Sequence, residues 1–413
     1  MGNNHQQPQI IIIGGGAAGF FAAIVCAETF PHTRITLLEA GREFLTKVKI
    51  SGGGRCNVTH HCFDPSQLVQ YYPRGGKALR GAFSRFQPKD TIAWFAAHDV
   101  TLKTEADGRM FPITDDSATI AHCLLETAKE HGVHLRPHSG VKSIQKRGEQ
   151  FQVELKTGEI LNGDRVLIAT GSNPMGYRWA KELGHTIEPP VPSLFTLNIK
   201  DPRLADLAGI SVETVRVSLI GLDNQKLEQM GPLLITHWGV SGPAILKLSA
   251  WGARLLHDHH YTMPLMINWL PNHNAETLRQ LLFNIKQTQP RKQIATVSPV
   301  DLPKRLWQSL TAAVGIDAKM LWADLSKKVL NQLILELLQG QYQITGKGVF
   351  KEEFVTCGGV KLSEINFKTM ESKHCSGLFF AGEVLDIDGV TGGFNFQSAW
   401  TTGYLAGQAM GNC

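Results

Sequence analysis

The segment QIIIIGGGAAGFFAAIVCAETFPHTRITLLE, residues 9–39, limits the fold more than any other stretch of the chain. The β-branched run at 9–13 predicts a buried strand. It ends at Gly14-Gly15-Gly16-Ala17-Ala18-Gly19, which opens a helical stretch at Phe20, and a second strand at 34–38 finishes on Glu39. Strand, glycine turn, helix and strand, with an acid about twenty residues beyond the last glycine, is the order a dinucleotide-binding unit requires. Gly14 permits the tight turn, Gly16 lets a pyrophosphate approach the backbone, and Gly19 lets helix and strand pack closely. The phosphates then meet the N-terminus of the helix, where unpaired N–H groups and the helix dipole favour negative charge. Glu39 can accept the ribose hydroxyls and disfavours a 2′-phosphate, so the expected dinucleotide is FAD or NAD. A glycine-rich turn without a ligand is the competing reading, weakened by the agreement of all four parts.

With 413 residues, the chain has room for two or three domains. Hydrophobic residues at 43% and charged residues at 19% are ordinary globular usage, which argues against disorder or a disulfide scaffold. No apolar run approaches the roughly 18 to 20 residues of a membrane span, and the start MGNNHQQPQ lacks a basic leader region. The expectation is a cytoplasmic protein. Seven cysteines without a CxxC pair predict reduced thiols, with neither a disulfide framework nor a metal site. A net charge of +5 permits a phosphate-bearing cofactor or a nucleic acid and demands neither.

Further along, residues 116–130 carry a helical stripe after an aspartate cap, 133–135 and 140–144 read as short strands, and 151–161 as a hairpin. RVLIA at 165–169 is another buried strand and enters Thr170-Gly171. PPVP at 189–192 marks a boundary. Alternating stretches at 212–219 and 233–235 then suggest antiparallel strands, and 274–339 is nearly all helical. Strand signals return at 353–357 and 378–381, ending on Gly382-Glu383, and a last helix runs from near Gln397 to Met410. The first domain is therefore interrupted and completed at the C-terminus. The expected divisions are 1–192 and 346–413 for that domain, 193–272 for an inserted β-rich part and 273–345 for a helical part.

Five stretches together, the opening fingerprint, KISGGGRCNVTH, ITHWGVSGPAIL, VTCGGVKLSEINFKTMESK and GLFFAGEVLDIDGVTGGFNFQSAW, resemble the BaiN/YhiN (RdsA)-like bacterial flavoprotein family. Its members are known as aminoacetone oxidases, 3-dehydro-bile-acid reductases and ribosomal-RNA dihydrouridine synthases. The resemblance implies an α/β, Rossmann-like, glutathione-reductase-like FAD domain in two sequence segments, with an inserted β-barrel and a helical lid. It also implies FAD contacts from Val141, from Ala169, Thr170 and Gly171, from Gly382 and Glu383, and from Asp388, Gly392, Gly393, Phe394, Asn395 and Phe396. One departure concerns the loop after Ala169-Thr170-Gly171. It is short here, running only through Ser172-Asn173-Pro174-Met175-Gly176-Tyr177, where family members carry a longer glycine-rich loop.

KVKISGGGRCNVTHH, residues 47–61, lacks the Lys-Ser or Lys-Thr of a triphosphate loop, and Cys56, His60, His61 and Cys62 do not have structural-zinc spacing. It is expected to be a second cofactor-facing loop. In that reading Ser51, Gly53 and Asn57 lie against the flavin, and Lys47 and Arg55 bring positive charge. Reduction of an activated C=C bond needs a hydride from flavin N5 to one carbon and a proton to its neighbour. Cys56 is the candidate acid on this loop, with a packing thiol as the competing reading. His237, in THWGVSGPA with Ser241, is a second candidate on the inserted part, against a structural turn. HDHH at 257–260 reads as a solvated loop. The expected activity is an FAD-dependent oxidoreductase, drawing on NADPH or NADH as a transient donor, that reduces an activated C=C bond. The substrate is a small molecule or uridine of ribosomal RNA. An oxygen-dependent aminoketone oxidase and a flavin-binding protein without a dedicated reaction are the alternatives. Lys286, Arg291, Lys292, Lys304, Arg305, Lys327 and Lys328 would serve an RNA, although solvated helix faces also explain them.

Overall fold

The computed structural model of the chain describes residues 7–220, 226–348 and 355–412. The chain divides into two compact units, Met1–Pro190 with Val355–Cys413, and Val191–Phe354. Part of the strand expected at 353–357 lies outside the described residues; the strand found there is Val355–Val360.

In the first unit, β1 (Gln9–Ile13) pairs in parallel with β2 (Arg34–Leu38) on one side and with Arg165–Ile168 on the other. Ile11 stands opposite both Thr36 and Val166. The sheet extends past β2 to His134–Arg136, and past Arg165–Ile168 to Leu378–Phe380, Glu371–Ser372 and Ile365–Asn366. The C-terminal segment thus supplies three of the seven strands, and neither segment builds the sheet alone. Ile10 through Ile13 are all buried, as expected for a central parallel strand covered on both faces.

Helix α1 (Ala17–Thr29) buries a continuous run from Ala18 to Ala27 because it is covered both by the sheet and by the C-terminal helix Phe394–Met410. Those two helices approach closely at glycines. A Cβ at Gly403 would stand 2.7 Å from the Ala18 carbonyl oxygen, and one at Gly407 would stand 2.7 Å from that of Ala22. The final helix begins at Phe394, three residues earlier than the sequence suggested, because Gly393 adopts φ +90° and forms its N-cap.

The second unit is a closed barrel of six strands, in the order Leu197–Ile199, Gly239–Ser241, Lys226–Thr236, Ser211–Ile220, Met263–Asn268 and Gly340–Lys347. Helices Ala275–Thr288, Lys304–Ala313 and Lys327–Gln339 lie in sequence between its last two strands and share one apolar core with it, including Trp269, Trp307 and Trp322. The expected β-rich part, 193–272, and the expected helical part, 273–345, lie within this one unit. The closing strand begins where the helical stretch 274–339 ends, with Gly340, Tyr342 and Ile344 pointing inward and Gln341 and Gln343 outward. Among the described residues no helix is long and apolar enough to cross a membrane.

Candidate functional site

The glycine turn behaves as its chemistry requires. Gly14 has φ +118°, and a Cβ there would lie 2.3 Å from the Ala169 carbonyl oxygen, so this position admits only glycine. At Gly19 a Cβ would stand 2.0 Å from the Gly14 carbonyl oxygen, which fixes the close packing of α1 on the turn. Gly16 is different: a Cβ there meets no protein atom within 4 Å. Gly16 is also the N-cap of α1, and no side chain caps that helix. The N–H groups of its first turn, with Ala17 and Ala18, therefore face a space that the protein itself leaves open, which suits an anion. Glu39 is held at this turn: Oε2 accepts from the Gly15 N–H at 2.9 Å and Oε1 from the Gly41 N–H at 2.7 Å. Each oxygen keeps lone-pair capacity for a ribose hydroxyl. Ser139 N–H donates to the Glu39 carbonyl at 2.7 Å, which brings the start of strand Val141–Arg147, and buried Val141 with it, beside the end of β2.

A second cluster forms where the chain leaves strand Arg165–Ile168. Lys47 Nζ is 2.8 Å from Glu383 Oε2 and 3.3 Å from Ser172 Oγ, and a Cβ at Gly171 would lie 3.6 Å from Glu383 Oε2. Lys47, Gly171 and Glu383, from three distant stretches, are thus brought together. The other Glu383 oxygen accepts from the Thr356 N–H at 3.0 Å, and Gly382, at φ +76°, donates its N–H to Thr402 Oγ1 at 2.9 Å. The short loop after Thr170 enters helix Pro174–Glu182 directly, with the Asn173 side chain capping it through the Met175 N–H.

The stretch KVKISGGGRCN opens in a short helix that begins at Thr46 and passes into non-helical backbone at Ser51. Ser51 leaves the helical region and Gly52, Gly53 and Gly54 follow at positive φ; a Cβ at Gly53 or Gly54 meets no neighbour within 4 Å. Arg55, expected to bring charge to the pyrophosphate or to substrate, is engaged by protein groups. Its guanidinium lies 4.0 Å over the Phe111 ring and pairs with Glu105 at 2.7 Å and Asp115 at 3.4 Å. Asp388 is wholly buried and forms a bidentate pair with Arg74.

Cys56 has no exposed surface and sits at φ +58°, and burial pushes its thiol up to about 12. The thiol is therefore protonated at neutral pH. A thiol-specific reagent at pH 8 should label half-buried Cys62 and Cys375 in the native protein and reach Cys56 only on unfolding. Rapid native labelling of Cys56, mapped by mass spectrometry, would contradict its burial.

Sequence reasoning missed what supports the GVTGGFNFQ motif. The Phe394 ring stacks on Tyr71 at 4.3 Å between centroids and lies 4.5 Å from the His60 ring. Tyr72 donates its hydroxyl to the Phe394 carbonyl at 2.7 Å. The Asn57 amide accepts from the Gly393 N–H at 3.0 Å and donates to the Thr59 carbonyl at 3.1 Å. Gln397 Oε1, fully buried, accepts from Thr59 at 2.6 Å and Thr91 at 2.9 Å. Asn395 bonds both the N–H and the carbonyl of Gly389, and Phe396 stacks on Trp400. The sequence signal for this network was the group of polar residues Asn395, Gln397 and Ser398 at the start of the last helix. His237 lies in the inserted unit, beside exposed Trp238 at the turn between two barrel strands, and lines a cavity of about 970 Å³ with Lys200 and Arg305.

A parallel sheet with an uncapped helix at its glycine turn and an anchored acid on the next strand defines a dinucleotide-binding Rossmann protein. The chain belongs to the HI0933-like family, whose Rossmann-domain model matches residues 8–409. This agrees with the resemblance drawn from the motifs and places the chain in an oxidoreductase family. It is 31% identical over 397 residues to the ribosomal RNA dihydrouridine synthase of Escherichia coli, covering 91% of this chain and 92% of that protein. It is 29% identical to the 3-dehydro-bile acid delta(4,6)-reductase of Clostridium scindens, over 94% of this chain and 95% of that one. Among solved structures, a 3-ketosteroid-delta4-(5alpha)-dehydrogenase from Rhodococcus jostii matches with a TM-score of 0.53 at 15% identity, covering 100% of this chain and 99% of that one. That last likeness concerns the fold.

Proposed function

We propose that the first unit binds FAD and that the protein reduces a C=C bond conjugated to a carbonyl, with NADPH or NADH as the electron donor. The observation that carries the cofactor assignment is the open space at Gly16, over an uncapped helix and beside the anchored Glu39 carboxylate. When bound, FAD supplies a hydride from N5 to one carbon of the double bond. The chain's own contributions are positional and electrostatic. The first turn of α1 offers N–H donors to the pyrophosphate, and Glu39 orients the adenosine ribose. Gly392 and Gly393, at φ +130° and +90°, lead into the N-terminus of the final helix, whose dipole would favour negative charge on a flavin ring held there. Lys47 and Glu383 form the polar wall at the strand end.

Full burial gives Cys56 a packing role in this account. Cys56→Ala is expected to keep its flavin, turn over within about threefold of the parent and lose about 1 kcal/mol of stability. A hundredfold fall in turnover with flavin retained would restore Cys56 as the acid. His237 is carried forward as a candidate acid, tested by the same assay on His237→Ala.

Two relatives named ribosomal RNA dihydrouridine synthase, at 30% and 31% identity, favour uridine in ribosomal RNA as the substrate, since its pyrimidine C=C bond is conjugated to a carbonyl. Arg291, Lys292, Lys304, Lys327 and Lys328 are exposed and available to a phosphate backbone, whereas Lys286 and Arg305 donate to the carbonyls of Leu325 and Asp206. Comparing dihydrouridine in large-subunit ribosomal RNA between a deletion strain and its parent tests the reading. One modified position should disappear, and an unchanged level would move the substrate to a small enone, the chemistry named for the bile-acid relative.

A further inference from the structure

Away from the cofactor region, three metal-ligating side chains from separate stretches meet at the antiparallel edge of the large sheet. His185 follows helix Pro174–Glu182, Glu364 ends the turn Leu362–Glu364, and His374 follows strand Glu371–Ser372. Their ligand atoms all lie within 4.8 Å of one another. Glu364 Oε2 is 3.0 Å from His185 Nδ1 and 3.7 Å from His374 Nε2. Ligands of a tetrahedral zinc ion, at bond lengths near 2.05 Å, stand about 3.3 Å apart, so the two separations bracket what an ion would impose.

We propose that His185, Glu364 and His374 form a binding site for one divalent transition ion of the zinc class. Two imidazole nitrogens and one carboxylate oxygen suit a borderline ion and do not suit magnesium or calcium, which require oxygen ligands. The inner ligands are fixed in advance. The His185 side chain is fully buried, and the Glu364 carboxylate is 13% exposed and accepts from the Thr186 N–H at 2.9 Å. The His374 side chain is 47% exposed, which gives an ion its entry path and leaves the outer coordination position to water. A support beyond the ligands is present as well: His185 Nε2 lies 2.8 Å from Ser372 Oγ, itself held by the N–H groups of His374 and Cys375.

An ion here ties residue 185 to a stretch 179 positions later in the chain. The hairpin it grips runs into strand Leu378–Phe380, which leads to Gly382 and Glu383. Because the ligands converge only in the folded chain, binding stabilises the native state by linkage.

The test is a calorimetric titration of the chelator-treated holoprotein with zinc chloride, alongside melting curves. One Zn²⁺ per chain is expected, with a rise in melting temperature of about 2 °C at saturating metal. His374→Ala and Glu364→Gln should each weaken binding at least tenfold and abolish the rise, with bound flavin unchanged. His257→Ala/His260→Ala, at the other histidine-rich stretch, should bind zinc as the parent does. Absence of binding, affinity undiminished in both His374→Ala and Glu364→Gln, or affinity lost in the His257/His260 variant would each overturn the proposal.

Discussion

Replacing Gly16 by valine is expected to cost the protein its flavin and spare its fold. The position has φ −93° and ψ −171°, an extended conformation any residue adopts, and a Cβ there contacts nothing within the protein. Whatever the new side chain excludes is therefore a ligand. In the dinucleotide geometry that ligand is the pyrophosphate, and steric exclusion should weaken FAD at least tenfold, on the order of 1.4 kcal/mol or more. Released-cofactor chromatography should show the loss, while the circular dichroism spectrum stays that of the parent. Gly19→Ala provides the contrast: its Cβ would strike the Gly14 carbonyl oxygen at 2.0 Å, so it should lose fold and flavin together. Gly16→Val retaining full FAD would remove the pyrophosphate from this turn.

The second large effect concerns Arg74 and Asp388, 314 residues apart, which join the two segments of the first unit. Asp388 is wholly buried and the Arg74 side chain is 15% exposed, so removing the cation leaves a carboxylate in a site built for an ion pair. Truncating one partner of a buried pair costs about 3–5 kcal/mol, a large part of the stability of an ordinary domain. Arg74→Ala should show that loss as a shift in denaturant midpoint with an unchanged slope. Arg74→Lys should recover only part of it, because an ammonium cannot reproduce the two parallel hydrogen bonds. A loss below about 1 kcal/mol for Arg74→Ala would mean that this pair does not hold the segments together.

Local signals in the sequence carried the first half of the fold. β1, the glycine turn and β2 lie within thirty-one residues, 9–39, and each is announced by its own residue types. Helices Ala275–Thr288 and Lys327–Gln339 were readable from their stripes, and Asn274 and Ser326 cap them through their side chains. Strand Gly340–Lys347 was hidden because it follows the last helix without a break, and its alternation is meaningful only once the barrel supplies an inside. The site was legible where glycine's missing side chain is what the turn requires, as at Gly14 and Gly19. It was not legible where long-range packing decides. Arg55 pairs with Glu105 and Asp115, Asp388 pairs with Arg74, and the stack of His60, Tyr71 and Phe394 needs the C-terminus folded back on the first segment.

The account rests on a flavin in the first unit that passes a hydride to a conjugated double bond. Anaerobic mixing of the holoprotein with NADPH or NADH, followed by a conjugated enone or uridine-containing ribosomal RNA, tests this directly through the visible flavin absorbance. The account predicts bleaching by the nicotinamide, then recovery of the oxidised spectrum in step with one saturated product per flavin. A flavin that is not bleached by either nicotinamide, or that recovers with oxygen but with neither acceptor, would contradict it.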